Sequence, residues 1–273
     1  MKYDRILITG AAGKLGRHLR ATLKPLSRTV RLTDIVPMAP AGDNEEVVET
    51  DLLDQSGVVD LMAGVDVVIH LAGIIVEQPF PQILQANIVG SYNVWEAACT
   101  AGVKRMVYAS SCHAVGMYRR DERLDADTTH RPDSFYGLSK AFGEDLARLY
   151  FDKHGMEAAC LRIGSCFEEA TDERMLATWL SRADFTRLVE ACLEAPFLGY
   201  AILYGMSDNP MTWWDNSKVD YLGYRPQDSA EISTEKLAAK TEPLDPADPV
   251  KFYQAGQFAA DVRRRRSTQH TSP

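Results

Sequence analysis

Over the first 165 residues, short β-branched apolar runs alternate with longer stretches in which apolar residues recur every three or four positions. Runs at 5–9, 29–34, 46–49, 65–71, 105–110 and 158–164 predict strands. Ile6-Leu7-Ile8 and Val67-Val68-Ile69 are apolar without alternation, the pattern of strands covered on both faces by helices. Helical spacing occupies 14–23, 55–63, 83–101 and 135–154. This alternation predicts an α/β chain with a doubly wound parallel sheet, a Rossmann fold.

After residue 164 the rhythm breaks. A helix at 184–194, a strand at 200–204, an aromatic loop Trp213-Trp214-Asp215-Asn216 and a last helix at 229–240 are expected. This part is too short for a domain of its own. The expected organisation is a nucleotide-binding core over 1–165, substrate-capping elements integrated with it over 166–260, and a disordered basic tail over 261–273.

Composition narrows the function. The 273 residues carry 30 Lys and Arg against 38 Asp and Glu, a net charge of −8, so the field needed to neutralise nucleic-acid phosphates or an anionic membrane is lacking. The most apolar stretch, 65–76, contains Asp66 and His70 and is too short to span a bilayer. Lys2, Asp4 and Arg5 precede only three large apolar residues, which argues against a secretory signal. The five cysteines are odd in number and show no C-x-x-C spacing. They read as free thiols in the cytoplasm, with no metal site. The run of arginines at 263–266 reads as part of the frayed tail.

The first expected strand runs into Gly10-Ala11-Ala12-Gly13-Lys14-Leu15-Gly16 and then a helix. Gly10 permits a tight turn, Gly13 lets the backbone approach a diphosphate, and Gly16 allows close packing of helix on strand. The diphosphate would lie on the helix N-terminus, where N–H groups and the dipole favour anions. Asp34 closes the second strand 18 residues beyond Gly16. A carboxylate there accepts both ribose hydroxyls of an adenosine and repels a 2′-phosphate, so NAD is expected in preference to NADP. The alternative is an acid capping a turn. Asp51 and Leu52 are placed to meet the adenine, a helix N-cap being the other reading of Asp51. Leu71-Ala72-Gly73 end the fourth strand with small residues, a surface for a cofactor to lie on.

Tyr136 and Lys140 stand four apart on one helical face. A phenol titrates near ~10, so service as a general base near neutral pH needs a positive neighbour such as Lys140 or a nicotinamide. Ser111, 25 residues upstream at the end of the fifth strand, can hold the reacting oxygen beside that phenol; turn chemistry is its bland alternative. A hydrolase triad of Ser111, His113 and an Asp lacks a G-x-S-x-G elbow. Asn87 is unfavourable in the middle of a helix. An inward amide positioning Lys140 through water would account for it, as would a solvent-facing one.

Gly10, Gly13, Gly16, Asp34, Ser111 and Tyr136-x-x-x-Lys140, in this order and spacing, resemble the extended short-chain dehydrogenase/reductase family over residues 3–165. Further segments resemble uronate dehydrogenases: Phe142-Gly143-Glu144-Asp145-Leu146-Ala147, Arg162-Ile163-Gly164-Ser165-Cys166, Arg174-Met175-Leu176-Ala177-Thr178-Trp179 and the 213–216 loop. That resemblance implies NAD-dependent oxidation of the C1 hydroxyl of a hexuronate to its lactone, with Ser111, Tyr136 and Lys140 catalytic. It implies cofactor contacts that include Lys14, Leu15, Leu52, Leu71, Asn87 and Ile163. Substrate contacts would come from positions 75 and 112 together with Ser111, His113, Tyr136, Ser165 and Arg174, the last pairing with a carboxylate. Two positions depart, since Ile75 and Cys112 stand where the resembled family has serine and asparagine. The loss of two polar partners makes a less hydroxylated or differently configured sugar acid the better expected fit. The resemblance also implies a homodimer or higher homo-oligomer paired through the helices at 83–101 and 135–154. A nucleotide-sugar epimerase or dehydratase retaining NAD, and a non-catalytic NAD-binding protein, are the alternatives.

Overall fold

The computed structural model describes residues 2–238 and 245–260, so the arginine run at 263–266 and the end of the expected last helix lie outside the described residues. In chain order the strands are β1 (Tyr3–Thr9), β2 (Ser27–Asp34), β3 (Glu45–Glu49), β4 (Val67–His70), β5 (Arg105–Ser111) and β6 (Glu157–Ile163). A small parallel pair, β7 (Ser165–Cys166) and β8 (Trp179–Leu180), precedes β9 (Tyr200–Gly205). Seven strands form one parallel sheet in the order β3-β2-β1-β4-β5-β6-β9. The winding direction reverses between β1 and β4. In open α/β sheets the crevice outside the strand ends at that reversal is where ligands bind.

The helices among the described residues are α1 (Lys14–Thr22), α2 (Gln55–Leu61), α3 (Phe80–Ile83), α4 (Gly90–Thr100), α5 (Phe135–His154), α6 (Met175–Thr178), α7 (Arg182–Glu194), α8 (Thr234–Ala238) and α9 (Pro249–Phe252). Unbroken apolar strands have a direct cause here. Ile6 and Ile8 pack with Leu19 of α1 and with Phe185 and Leu188 of α7. Leu7, between them, joins Trp95 of α4 and Ala147 and Tyr150 of α5 on the opposite face. With both faces dry, no position of β1 from Ile6 to Ile8 has solvent to meet.

Four expectations change. The helix expected over 83–101 is α3, a π turn at Leu84–Val89 and α4 in succession. The ladder of β4 starts at Val67, not 65, because Asp66 turns its carboxylate onto the N–H groups of Asp4 and Arg5 at 2.8 and 3.0 Å. The strand at 200–204 does not cap the mouth. As β9 it pairs with β6, so the region after 165 also builds the sheet. The last expected helix begins as a 3-10 turn, Ala230–Ser233, before Thr234–Ala238. Among the described residues no helix is long and apolar enough to cross a membrane, and no group of three or more His, Cys, Asp or Glu could hold a metal.

Candidate active site

A cavity of about 940 Å³ lies along the C-terminal ends of β1, β2, β4, β5 and β6. It is lined by every site residue singled out from the sequence except Asn87. At the β1–β2 end, Gly10 has φ +71°, and a Cβ there would meet Ala72 N at 2.6 Å. Gly13 caps α1 without a side chain, and the first turn holds no acid, so the helix N-terminus is open to an anion. Asp34 accepts from Ala12 N at 2.9 Å and Val36 N at 3.2 Å, fixing the glycine turn to the end of β2. Asp51 accepts from Leu53 N at 2.9 Å in a local turn, while the N-cap of α2 is Asp54. A glycine turn, a bare helix end and an acid on the β2 end, all on one elongated cavity, fit a dinucleotide.

At the β5 end, Ser134 caps α5, its Oγ accepting from Gly137 N at 2.9 Å. Tyr136 therefore falls in the first turn and Lys140 one turn on. The Lys140 ammonium donates to the carbonyl of Ala109 at 2.8 Å and lies 5.7 Å from the Tyr136 ring. Burial lowers its pKa to about 8. Burial also pushes the Tyr136 phenol up, with a hydrogen bond from Ser111 working against it. The Tyr-Lys spacing by itself therefore does not bring the phenol down. Asn87 points inward, as one of its two readings held, and its amide directly bonds Ile74 N (2.7 Å), Ile74 O (2.9 Å) and Ser139 Oγ (3.0 Å).

The far wall carries the expected substrate groups. Arg174 donates through Nη1 to Ser165 Oγ at 3.2 Å and through Nη2 to Cys112 Sγ at 3.4 Å. Burial raises the Cys112 thiol although Arg174 opposes it. His113 Nδ1 pairs with the buried Asp133 carboxylate at 2.6 Å, and its ring stacks on Phe258 at 3.9 Å. Ile75 is 68% exposed on the rim.

Residues 6–191 match the model described as the NAD dependent epimerase/dehydratase family. The chain belongs to that family. It is 49% identical over 94% of both chains to a uronate dehydrogenase of Pseudomonas syringae pv. tomato. A solved mutant of the uronate dehydrogenase from Agrobacterium tumefaciens, complexed with NAD, is 49% identical with TM-score 0.90, covering 94% of this chain and 97% of that one. An NAD-dependent glucose-6-phosphate dehydrogenase of Haloferax volcanii is 37% identical over 89% of this chain and 98% of its own.

In this member of the epimerase/dehydratase family, other groups that the sequence did not mark stand against the expected site residues. Glu77 accepts from Tyr136 N at 3.0 Å, Asp133 holds His113, and Phe258 walls the cavity. Glu144 follows Tyr136 and Lys140 at the same spacing of four. It is fully buried, accepting from Ser110 Oγ at 2.5 Å and pairing with Arg162 at 2.8 Å. That spacing was a readable signal; nothing local marks Phe258.

Proposed function

We propose that this chain is an NAD-dependent dehydrogenase that oxidises the C1 hydroxyl of a cyclic hexuronate or related sugar acid to its lactone. The observation that carries the reading is the sharing of one cavity by the glycine turn, by Ser111, Tyr136 and Lys140, and by the Arg174 guanidinium. The three uronate dehydrogenase relatives at 49–50% identity support the substrate class.

Gly10, Gly13 and the α1 N-terminus hold the diphosphate, and Asp34 takes the adenosine ribose. NAD supplies a hydride acceptor when bound. Ser111 donates to the substrate O1 and aligns it with Tyr136. Tyr136, as phenolate, takes the O1 proton while the C1–H bond breaks and C1=O forms. Lys140, still partly charged near pH 8, stabilises the phenolate across the 5.7 Å to its ring. Arg174 and Ser165 receive the carboxylate, a role suited to a planar guanidinium fork. Burial raises the phenol, so its ionisation rests on the positive charge of Lys140, to which a bound nicotinamide would add.

The exposed apolar residues Tyr92 on α4 and Leu138 and Leu149 on α5 support a homodimer across those helices. The free cysteines support a cytoplasmic setting. The test is NADH formation across a panel of hexuronates, pentoses and neutral aldoses. Tyr136→Phe is expected to lose turnover by about a thousandfold or more while binding NAD as before. Full activity in that variant ends the assignment.

A further inference from the structure

The cavity wall behind Arg174 and His113 is made by residues from the far end of the chain. The main-chain carbonyl of Gln254 accepts from Arg174 Nε at 2.6 Å. That carbonyl is itself held from several sides. The buried Gln254 side chain accepts from Trp214 Nε1 at 2.9 Å and donates to the carbonyls of Arg119 and Glu122, each at 2.9 Å. Its own N–H donates to Tyr118 O at 2.9 Å. Trp214 in turn stacks on Tyr204 of β9 at 5.2 Å, so the arrangement is referenced to the sheet.

Two residues on, Gly256 has φ +60°, and a Cβ there would meet Arg174 Cδ at 2.8 Å. Phe258 then lays its ring on His113 at 3.9 Å with the planes 30° apart, while standing 6.3 Å from the Tyr136 ring. Every polar group of the Gln254 side chain is spent on holding position. None is left to address a ligand.

We propose that the segment 253–259 is a strap that positions the substrate-binding groups: Gln254 and Gly256 set the Arg174 guanidinium, and Phe258 sets the His113 ring. This inference rests on the dehydrogenase reading above and deepens it. With Nε committed to Gln254, and the two Nη atoms placed by Ser165 and Cys112, the guanidinium is fixed before a carboxylate arrives. A fixed fork loses little side-chain freedom on binding, so it raises affinity for carboxylate-bearing sugars selectively. A neutral aldose gains nothing from it. Gln254, Gly256 and Phe258 are positioning residues; the chemistry stays with Ser111, Tyr136 and Lys140.

The experiment compares wild type, Gly256→Ala, Phe258→Ala and Phe258→Tyr on glucuronate and galacturonate and on the matching glucose and galactose. KM and kcat come from NADH formation. Uronate binding to the NADH-loaded protein, and NAD binding, come from calorimetry. Gly256→Ala is expected to raise the uronate KM about tenfold or more and to cut the uronate-over-aldose preference by a similar factor. Phe258→Ala, acting through His113, should raise the KM of acids and aldoses alike, and Phe258→Tyr, which keeps the stack, should restore it. NAD affinity should hold in all of them. Should Gly256→Ala fail to fold, Gln254→Glu takes its place, since it keeps the acceptor for Trp214 but loses the two donated bonds that hold the Gln254 carbonyl. An unchanged uronate KM in folded variants, or an equal loss on acids and aldoses in the variant that touches Arg174, overturns the strap. Wild-type protein that binds uronate in a strap-dependent way but forms no NADH overturns the dehydrogenase reading alone. Failure to bind any uronate overturns both.

Discussion

The ammonium of Lys140 sits on the main-chain carbonyl of Ala109, 2.8 Å away and two residues before Ser111. Together with the bond from Ser110 Oγ to Glu144, it ties α5 to the end of β5, and this brings amine, phenol and hydroxyl to one place. The surroundings of the ammonium are otherwise aromatic, with Tyr108 at 5.1 Å and Tyr136 at 5.7 Å. A charge in such a place carries an energetic cost that pH can remove.

That cost fixes the sign of a pH effect. Burial lowers Lys140 from 10.5 to about 8. Above 10.5 the amine is neutral in both folded and unfolded chains, and its burial is free of the charge penalty. As pH falls from 10.5 to 8 the unfolded chain takes up the proton and the folded chain does not, so about 3 kcal/mol of stability is lost across that window and nothing further below it. Lys140→Met has no such dependence. Urea unfolding of NAD-free protein should therefore show wild type gaining about 2 kcal/mol on Lys140→Met between pH 7 and 10. A difference constant with pH would place the ammonium in water.

Asp34 separates two cofactors by charge. Its carboxylate lines the cavity and is anchored by Ala12 N and Val36 N. A 2′-phosphate brought beside it meets a like charge. Asp34→Ser is expected to raise the KM for NAD about tenfold and to admit NADP, leaving the uronate KM unmoved. Steady-state kinetics with both cofactors measures this, and a variant that still refuses NADP contradicts it.

The sheet was legible in the sequence because burial on both faces leaves a mark in composition: Ile6-Leu7-Ile8 has no polar position to spare. The side on which β9 pairs was not, since an apolar run at 200–204 is the same run whichever neighbour it has. The π turn was hidden for a similar reason. Spacing over 83–101 remains helical through it, and only the awkward Asn87 hinted at an inward bond. Within the cavity, the glycine turn, Asp34 and the Tyr-Lys pair could be read because each is short-range along the chain or tied to a strand end. Asp133 and Phe258 reach His113 from 20 and 145 residues away, and periodicity carries no information about such pairs.

Behind Ser110 lies a buried ion pair whose removal has unequal consequences. Burial favours a neutral Glu144, yet hydrogen bonds from His130 and charge from Arg162 hold it below the usual carboxylate range. Arg162 also donates to Tyr204 Oη at 2.9 Å. Arg162→Leu strands the carboxylate and is expected to cost about 3–5 kcal/mol. Arg162→Leu with Glu144→Met removes both charges and should recover most of that loss. Urea unfolding of both variants is the measurement. A double variant no more stable than the single would mean that the charge of Glu144 is not what Arg162 compensates.

The departure at positions 75 and 112 bears on which acid is oxidised. Cys112 is buried with its sulfur against Arg174 Nη2, and Ile75 presents an apolar side chain at the rim. Neither offers a sugar hydroxyl the partner that serine or asparagine would. A hydroxyl left unpaired against the buried Cys112 costs about 1–3 kcal/mol, and one at the exposed Ile75 rim costs less, so the two together amount to about tenfold to a hundredfold in affinity. Ile75→Ser with Cys112→Asn should lower the KM for glucuronate or galacturonate by about that factor, with kcat little changed. The same variant should lose ground on a deoxy sugar acid, whose missing hydroxyl would leave the new polar groups unpaired in turn. If the double variant binds fully hydroxylated uronates no better than wild type, positions 75 and 112 do not face those hydroxyls, and the choice of acid lies with Arg174, His113 and Ser165.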